Sequence, residues 1–213
     1  MDPIDAANAK SLDEFVKEYL PASEEWKSWV HPKSKASYQI TLQPPKALSI
    51  SDFDACFNLI HSTSYEHYKN SKNGWKPRSK TNEMKLLDLK YLLIKNDQAT
   101  VEGFVSFMPT FEDDYPVIYC YEIHLSSALQ GTGLGTTLIR MLEAVAEKIP
   151  GTEKVMLTCF RSNAKAMAFY EKMGYGKDEF LPPPRILRNG TIVESEYVIL
   201  SKNIETSRFG GPN

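Results

Sequence analysis

The chain lacks several features that define large classes of proteins. It has no apolar run near the roughly 18 residues of a membrane-spanning helix, and no internal repeat. Its three cysteines (Cys56, Cys120 and Cys159) lie far apart, and neither they nor the four histidines have the spacing of a metal site, so no metal is expected. The acidic start also lacks the basic-then-apolar order of a signal peptide, which together with an odd cysteine count indicates a reducing compartment.

The chain also lacks an excess of charge of either sign. It carries 25 Lys and Arg against 27 Asp and Glu, a formal net charge of −2. This balance excludes a strongly basic protein that coats nucleic acid, and we expect no direct contact with nucleic acid or a membrane. The 42% of hydrophobic residues suffice for a core, and 213 residues fit one domain with an extension, which we expect to be a monomer.

The first 30 or so residues predict helix. Apolar side chains between Leu12 and Tyr19 recur at helical spacing, and Trp26 and Trp29 follow on a second short turn. Such a segment binds a partner or a membrane, or packs on its own domain, and its mixed polar face favours packing. We therefore predict a helical extension packed on the domain over residues 1–35, a domain over 36–201 and a flexible tail over 202–213.

The next stretch predicts a strand, a helix and then three more strands. The first strand covers 38–42, and Ser51 or Asp52 caps the helix, which ends in a loop rich in Asn, Ser and Gly. Five basic residues between Lys69 and Lys80 make this loop either a solvated face or a binding site for phosphate or a partner. The later strands cover 89–94, 101–108 and 117–125, and short connections would make them antiparallel.

The segment Gln130-Gly131-Thr132-Gly133-Leu134-Gly135 separates an apolar strand from an amphipathic helix over 134–148. Glycines let the backbone approach a ligand closely, and a helix N-terminus presents unpaired N–H groups. Together these features predict a phosphate or pyrophosphate site, with a plain tight turn as the alternative. The loop reads G-x-G-x-G, so its last glycine comes one residue too early for the dinucleotide-binding motif G-x-G-x-x-G. It also lacks the lysine of a P-loop. A strand over 154–160, a helix over 163–173 and strands near 175–181 and 192–200 follow.

The spacing Gln-x-x-Gly-x-Gly resembles the acyl-CoA loop of the GNAT acetyltransferase superfamily. The segment from Asn163 to Tyr175 resembles the second signature of that superfamily, N-x-x-A-x-x-F-Y-x-x-x-G-Y, and the two signatures cover about residues 100–181. The resemblance implies an α/β (α+β) fold with a central mixed, mostly antiparallel sheet of about seven strands and helices on both faces. It also implies that acetyl-CoA is the acyl donor and CoA the product.

The same resemblance implies where CoA binds. In that superfamily two neighbouring strands separate, the pantetheine arm inserts between them, and the pyrophosphate lies on the amides of the glycine loop. Asn163 matches a residue that usually contacts the CoA arm. The residues that we expect to hold CoA are Ile123, His124, Leu125, Gln130, Gly131, Thr132, Gly133, Leu134, Gly135, Thr136 and Asn163.

Acetyl transfer to an amine needs a neutral amine, stabilisation of the oxyanion and a thiolate that can leave. Glu122, in an apolar and aromatic strand, is the candidate general base, and we expect burial to raise its pKa; otherwise it points to solvent or pairs with a lysine. Tyr121 alternates with Glu122, so only a bulge would let both face one cleft. Tyr170 matches a tyrosine that protonates the thiolate in many members, or is a core aromatic. Cys120 and Cys159 are expected to be core thiols, so an acyl-cysteine step is not needed.

The run Val117-Ile118-Tyr119-Cys120-Tyr121-Glu122-Ile123 is similar to the histone-specific N-terminal acetyltransferase family, N-alpha-acetyltransferase D. This resemblance implies direct attack in a ternary complex by the N-terminal amine of a histone tail that starts Ser-Gly-Arg-Gly, in the nucleus and cytoplasm. Glu112, or else Asp113, would read the arginine. The sequence departs from the family at 182–184, where three prolines replace a longer polar loop. The expected substrate-binding residues are Tyr68, Trp75, Glu112, Asp113, Tyr119, Tyr121, Thr158 and Tyr197.

Two other functions compete with this hypothesis. One is a GNAT enzyme that acetylates a lysine side chain or a small-molecule amine. The other is a module that binds acyl-CoA without turnover. The glycine loop alone does not separate the three functions. The Tyr119–Glu122 cluster favours the N-terminal acetyltransferase over the other two.

Overall fold

A computed structural model describes residues 1–204, so most of the predicted tail (202–213) lies outside the described residues. The helices are α1 (Pro3–Ala9), α2 (Leu12–Tyr19), α3 (Ile50–Lys69), α4 (Pro77–Glu83), α5 (Leu134–Lys148) and α6 (Ala164–Lys172). The strands are β1 (Ser28–Val30), β2 (Ser37–Gln43), β3 (Lys90–Lys95), β4 (Val101–Glu112), β5 (Tyr115–Leu125), β6 (Lys154–Phe160), β7 (Gly176–Lys177), β8 (Arg185–Ile186), β9 (Ile192–Val193) and β10 (Tyr197–Asn203).

Eight of these strands form one sheet in the order β1-β2-β3-β4-β5-β6-β10-β7, and β8 and β9 form a separate hairpin. The predicted α/β fold, with a mixed and mostly antiparallel sheet between helices, is confirmed, although the sheet has eight strands rather than about seven.

The N-terminal helices pack on the sheet, as the mixed polar face of this segment suggests. Ser11 and Glu14 form a capping box that starts α2, and Phe15 and Tyr19 of this helix are buried in the core. The second short turn predicted near Trp29 is wrong in part, because residues 24–27 form a 3₁₀ turn but Trp29 lies on β1. Its backbone pairs with Tyr38 of β2, and sheet pairing here overrides the local helical pattern.

The region between β2 and β3 holds two helices rather than one helix and a loop. Helix α3 begins two or three residues earlier than expected, because Ser49, and not Ser51 or Asp52, caps it by accepting a hydrogen bond from the Asp52 N–H. The basic loop of the sequence analysis contains α4, which Pro77 starts. Lys80 lies on this short helix and is buried.

Strands β5 and β6 run parallel but pair over only part of their length. Their residues pair from Val117 with Lys154 to Cys120 with Leu157, and beyond that point the two strands separate. Strand β5 stays paired with β4 on its other edge up to Leu125. The sheet therefore opens at the carboxyl ends of β5 and β6, which is the kind of separation that the resemblance implies.

The C-terminal part is less regular than the pattern predicts. The strand expected over 175–181 is reduced to Gly176–Lys177, because Asp178 turns inward to pair with Lys154. The strand expected over 192–200 is divided between β9 and β10, and β10 continues to Asn203. Within residues 1–204, no helix combines the length and the apolar character needed to cross a bilayer.

Candidate active site

A cavity of about 1190 Å³ occupies the gap between the separated strands. Its walls are the ends of β4, β5 and β6, the glycine loop, the second half of α3, the loop before α4, α4 itself, α6 and the start of β10. The cavity is therefore built at the place where the sheet leaves backbone groups without a strand partner. Most of the site residues predicted from the sequence line it.

The glycine loop forms one end of this cavity. Gly131 and Gly133 have φ values of +71° and +93°, in the left-handed region that favours glycine. Gly133 is the N-cap of α5 and has no side chain that could satisfy the first N–H groups of the helix. Of the first N–H groups, that of Leu134 donates to the Thr132 hydroxyl at a long 3.5 Å. The arrangement fits an anionic diphosphate, because N–H groups at a helix start and the helix dipole both attract negative charge.

Two further polar groups support the loop. Gln130 donates from Nε2 to the Leu125 carbonyl at 3.0 Å and accepts from Lys165 Nζ at 2.8 Å. Asn163 caps α6 by accepting a hydrogen bond from the Ala166 N–H and also lines the cavity. The loop is thus tied to the end of β5, and through Lys165 to α6.

A β-bulge lets two successive residues of β5 face the cavity. Ser106 of β4 pairs with Glu122 whereas Phe107 pairs with Cys120, so Tyr121 is the extra residue. Tyr121 and Glu122 both line the cavity, and the ring of Tyr121 lies 5.1 Å from that of Tyr119. The bulge that the sequence analysis required for both to face one cleft is present.

Two polar side chains, Lys80 and His124, hold Glu122, and each of them has a further partner of its own. Its Oε1 accepts a hydrogen bond from Lys80 Nζ at 2.6 Å, and its Oε2 lies 2.5 Å from His124 Nε2. His124 Nδ1 in turn lies 2.5 Å from the Thr63 hydroxyl, and Lys80 also contacts Glu83 Oε1 at 2.8 Å. Only 10% of the Glu122 side chain is exposed, so these groups form its immediate environment.

The expectation that Glu122 has a raised pKa is wrong. Burial alone would raise the pKa, but the charges and hydrogen bonds of His124 and Lys80 outweigh burial and lower the Glu122 pKa to about 2. The side chain therefore pairs with a lysine and still faces the cavity, which combines two readings that the sequence treated as alternatives. At neutral pH Glu122 is a carboxylate.

Three residues of this environment are absent from the sequence-based site. Lys80 counted only as part of a basic loop, and Glu83 and Thr63 carried no signal. His124 was predicted as a CoA-binding residue, but its contact with Glu122 was not. Pro77 at a helix start, followed by Lys80 and Glu83 three residues apart, is the only local signal that could have indicated α4. Nothing local indicates that α4 meets β5.

Aromatic and acidic side chains line the far end of the cavity. Tyr119 and Thr158 share a hydrogen bond of 2.6 Å, and Trp75 is held 5.2 Å from the ring of Tyr68. Tyr197 lies opposite Phe160 at the start of β10. Glu112 also lines this end, and burial, then the nearby charges of Asp113 and Asp178, raise its pKa.

Tyr170 lies on the cavity wall although it is almost fully buried. Burial raises the pKa of its phenol well above the usual value, so the group stays protonated at neutral pH. Cys120 and Cys159 also line the cavity, and burial raises the pKa of Cys159 to about 11 and that of Cys120 further. A thiolate is rare under these conditions, which counts against a cysteine nucleophile.

Three predicted site residues lie elsewhere. Asp113 sits in the tight turn between β4 and β5 with a positive φ and does not line the cavity. The Leu134 side chain is in the core, and the Thr132 hydroxyl donates to the Leu129 carbonyl at 2.6 Å. Any role of Leu134 and Thr132 toward an anion would therefore fall to their backbone N–H groups.

A parallel strand pair that opens beside a glycine-rich helix start is the arrangement expected of transferases that take an acyl group from coenzyme A. The chain belongs to the acetyltransferase (GNAT) family, whose model matches residues 53–175. This match includes the glycine loop, the separated strands and the helix α6, so the matched residues form most of the cavity wall; Glu196 and Tyr197 lie outside the match.

Known proteins are similar to this chain in sequence or in fold, and the first of them matches over about half of its own length. N-alpha-acetyltransferase 40 of Saccharomyces cerevisiae is 30% identical over 155 residues, which cover 62% of this chain and 54% of the yeast protein. The GNAT domain of S. lividans PAT has the same fold, with a TM-score of 0.59 and 13% identity over 85% of this chain and 99% of that domain. The PaiA N-acetyltransferase of Thermoplasma acidophilum, solved in complex with coenzyme A, has a TM-score of 0.53 and 17% identity over 78% of this chain and 99% of that chain.

Proposed function

We propose that the chain transfers acetyl from acetyl-CoA to the N-terminal α-amine of a protein. The observation that carries the proposal is the position of Glu122. It lies on the wall of one cavity whose ends are a glycine loop suited to a diphosphate and a pocket of tyrosines and carboxylates suited to a peptide. The similarity to a yeast N-alpha-acetyltransferase supports this substrate class.

The substrate that fits best is a histone tail that starts Ser-Gly-Arg-Gly. Its first residues are small, and aromatic walls formed by Tyr119 and Tyr121 narrow the cavity beside Glu122. Its third residue is an arginine, and Glu112 presents a carboxylate that has no ion-pair partner within residues 1–204. With this substrate, the enzyme would act in the nucleus and in the cytoplasm, on histones as they are made or assembled.

Each polar group of the cavity has a role in this reaction. Acetyl-CoA supplies the activated acetyl group, and the N–H groups of the glycine loop and the side chain of Asn163 would hold it. The neutral amine nitrogen forms a bond to the acetyl carbon while the carbon–sulfur bond breaks. Glu122 accepts a hydrogen bond from the amine and takes its proton once the new bond makes that nitrogen acidic, and the Tyr170 phenol gives a proton to the sulfur.

The oxyanion needs a separate donor. Beyond Cys120 the edge of β5 that faces β6 has no strand partner, and a backbone N–H near Ile123 is the candidate to stabilise the charge that develops on the acetyl oxygen. The other edge of β5 is paired with β4 along this stretch, so the backbone that carries the N–H is fixed before the reaction begins.

A transfer assay with peptides tests the proposal. The peptide Ser-Gly-Arg-Gly extended by a natural tail is offered with a free α-amine, with a blocked α-amine, and with arginine replaced by alanine. We expect acetylation of the free peptide, none of the blocked peptide, and a higher KM for the alanine peptide. Acetylation of the blocked peptide at lysine, or of small amines alone, would replace the proposal by the alternative GNAT activities, and binding of CoA without turnover would make the chain a binding module.

A further inference from the structure

Lys80 places a fixed ammonium group in the wall of the cavity, beside Glu122. Its Nζ lies 2.6 Å from Glu122 Oε1, 2.8 Å from Glu83 Oε1 and 5.2 Å from the centre of the Tyr68 ring. Only 7% of the Lys80 side chain is exposed. An unpaired buried ammonium would be strongly unfavourable, so these three contacts fix its position.

We propose that Lys80 makes the site selective for amines that are uncharged at the working pH, and therefore for α-amines over the ε-amines of lysine side chains. This inference rests on the proposed function and adds the physical basis of its substrate class. Lys80 is a positioning and selecting residue here, not a catalytic one, because it acts through Glu122 and through its own charge.

The ordinary ionisation of the two kinds of amine makes such a selection effective. An α-amine with a pKa of about 7.8 is roughly one-third neutral at pH 7.5, whereas a lysine side chain with a pKa of about 10.4 is neutral in roughly one molecule in a thousand. A site that admits only neutral amines therefore discriminates strongly between them without any contact specific to the peptide.

Lys80 provides this discrimination in two ways. Lys80 already neutralises the charge of Glu122, so the carboxylate attracts a second cation only weakly. An incoming ammonium group would also be repelled by the like charge of Lys80. Glu122 is also held in its ionised form by Lys80 and His124, so it is a poor acceptor for the proton of an alkyl ammonium. A neutral amine meets neither obstacle and can donate a hydrogen bond to Glu122.

The other titratable groups around this pair do not change the argument. Burial raises the pKa values of the surrounding phenols and of the thiol, so these groups remain protonated and uncharged. The charges that remain are those of Lys80, Glu83 and Glu122, together with His124 when it is protonated. The groups concerned are Tyr68 on α3, Lys80 and Glu83 on α4, Tyr91 on β3, Cys120, Tyr121, Glu122 and His124 on β5, and Tyr170 on α6.

The test compares Lys80→Met with Lys80→Arg on two peptides of one sequence, one with a free α-amine and no lysine, the other α-blocked with one lysine. We expect the ratio of kcat/KM for the α-amine over the ε-amine to fall about tenfold or more in Lys80→Met. Lys80→Arg retains the charge and should keep the ratio within about threefold. Lys85→Met, on the loop after α4 and against Phe53, is the matched control outside the cavity.

A second measurement does not depend on turnover. In protein labelled with ¹³C at the glutamate carboxyl carbon, Glu122 should stay ionised from pH 4 to 8 in the wild type and Lys80→Arg, and should titrate at a higher pH in Lys80→Met. Should Lys80→Met not fold, Lys80→Gln is neutral and can still donate to Glu122. A ratio and a Glu122 titration equal to those of the wild type would overturn the inference while leaving the proposed function standing; absence of acetylation of every peptide by the wild type would overturn both.

Discussion

Two buried lysine–carboxylate pairs lie at opposite ends of the β5–β6 pair, and they are built for different purposes. Lys154 and Asp178 are 2.8 Å apart with 5% and 1% of their side chains exposed, and the rings of Phe180 and Tyr115 cover the ammonium. Lys80 and Glu122 are 2.6 Å apart and almost as buried, but they face a cavity. A buried ion pair adds little net stability, so its surroundings decide what it does.

The difference lies in what each carboxylate can still bind. Asp178 accepts from Lys154 with one oxygen and from the Phe180 N–H with the other, and only 1% of its side chain is exposed. Glu122 has a partner on each oxygen too, but its cavity admits a further donor. The first pair completes the fold, and the second leaves a carboxylate that a substrate can reach. Amide substitutions in the two pairs should therefore separate stability from turnover.

The largest effect is expected for Asp178→Asn. Lys154 would keep only the exposed Glu179 at 3.4 Å as a charged partner, so we expect the free energy of unfolding to fall by about 3 kcal/mol. Acetylation per folded molecule should not change. Urea denaturation followed by fluorescence measures the first quantity, and the double change Lys154→Met with Asp178→Leu should recover much of the stability. A loss of turnover in folded Asp178→Asn would break the comparison.

Lys90 sharpens the comparison because it is a buried lysine without a carboxylate. Its Nζ donates to Asn8 Oδ1 and the Asp88 carbonyl, both at 3.1 Å, and burial lowers its pKa to about 8. The folded state thus loses this proton near pH 8, whereas the unfolded chain keeps it until about pH 10.4. The unfolded state binds more protons in this window, so this group makes stability rise with pH, by roughly 3 kcal/mol in all.

Lys90→Met should lack that rise. The measurement is the difference in unfolding free energy between wild type and Lys90→Met at pH 7.5, 9 and 10.5, which cancels the tyrosines and other lysines that titrate in the same range. We expect the wild type to gain on the variant as the pH increases. Parallel curves would show that the Lys90 ammonium is not destabilised by burial against Phe15.

Glu122→Gln is the counterpart of Asp178→Asn at the other pair. The amide keeps an oxygen for Lys80, which also keeps Glu83, so stability should change less than in Asp178→Asn. Turnover should fall about 100-fold, equivalent to about 2.7 kcal/mol, because the amide cannot take the amine proton. Steady-state kinetics on the free-amine peptide measure kcat, and CoA affinity should be unchanged. Turnover within threefold of wild type would remove Glu122 from the reaction.

The sequence predicts best those parts of the fold that depend on local pattern. The bounds of α5 and β6 agree with the prediction to the residue, because an apolar stripe at helical spacing and the Pro150-Gly151 stop define the helix without reference to anything distant. The same holds for the glycine loop, whose positive φ values need glycine whatever packs around it. These elements carry the CoA end of the proposed site.

The chemistry around Glu122 could not be predicted in the same way. Its aromatic neighbours on β5 indicate burial, but the groups that reverse the shift of its pKa are Lys80, 42 residues away, and His124, whose side chain lies on the same face of β5. Helix α4 has seven mostly polar residues and no apolar stripe, so periodicity does not reveal it. The sequence shows which carboxylate is unusual, and tertiary contacts decide its charge.

The smallest effect is expected at Glu112, a cavity carboxylate with no ion-pair partner within residues 1–204. Burial and the charge of Asp113 raise its pKa, so it gains from binding a guanidinium, unlike Glu122, which already has Lys80. Glu112→Gln should raise the KM of the Ser-Gly-Arg-Gly peptide about tenfold and leave kcat nearly unchanged, since this contact is equal in ground and transition states.

Two peptides and two forms of the protein are compared to test whether Glu112 binds the arginine. The arginine and alanine peptides should differ in KM with the wild type but not with Glu112→Gln, because each change removes the same contact. Asp113→Asn is the matched control, since Asp113 lies in the turn outside the cavity. The preference for arginine should also weaken at mildly acidic pH, where a carboxyl group with a raised pKa is protonated before an ordinary one. Loss of the arginine preference in Asp113→Asn but not in Glu112→Gln would show that the turn, and not the cavity wall, binds the arginine. The absence of an ion-pair partner at Glu112 would then not explain the specificity.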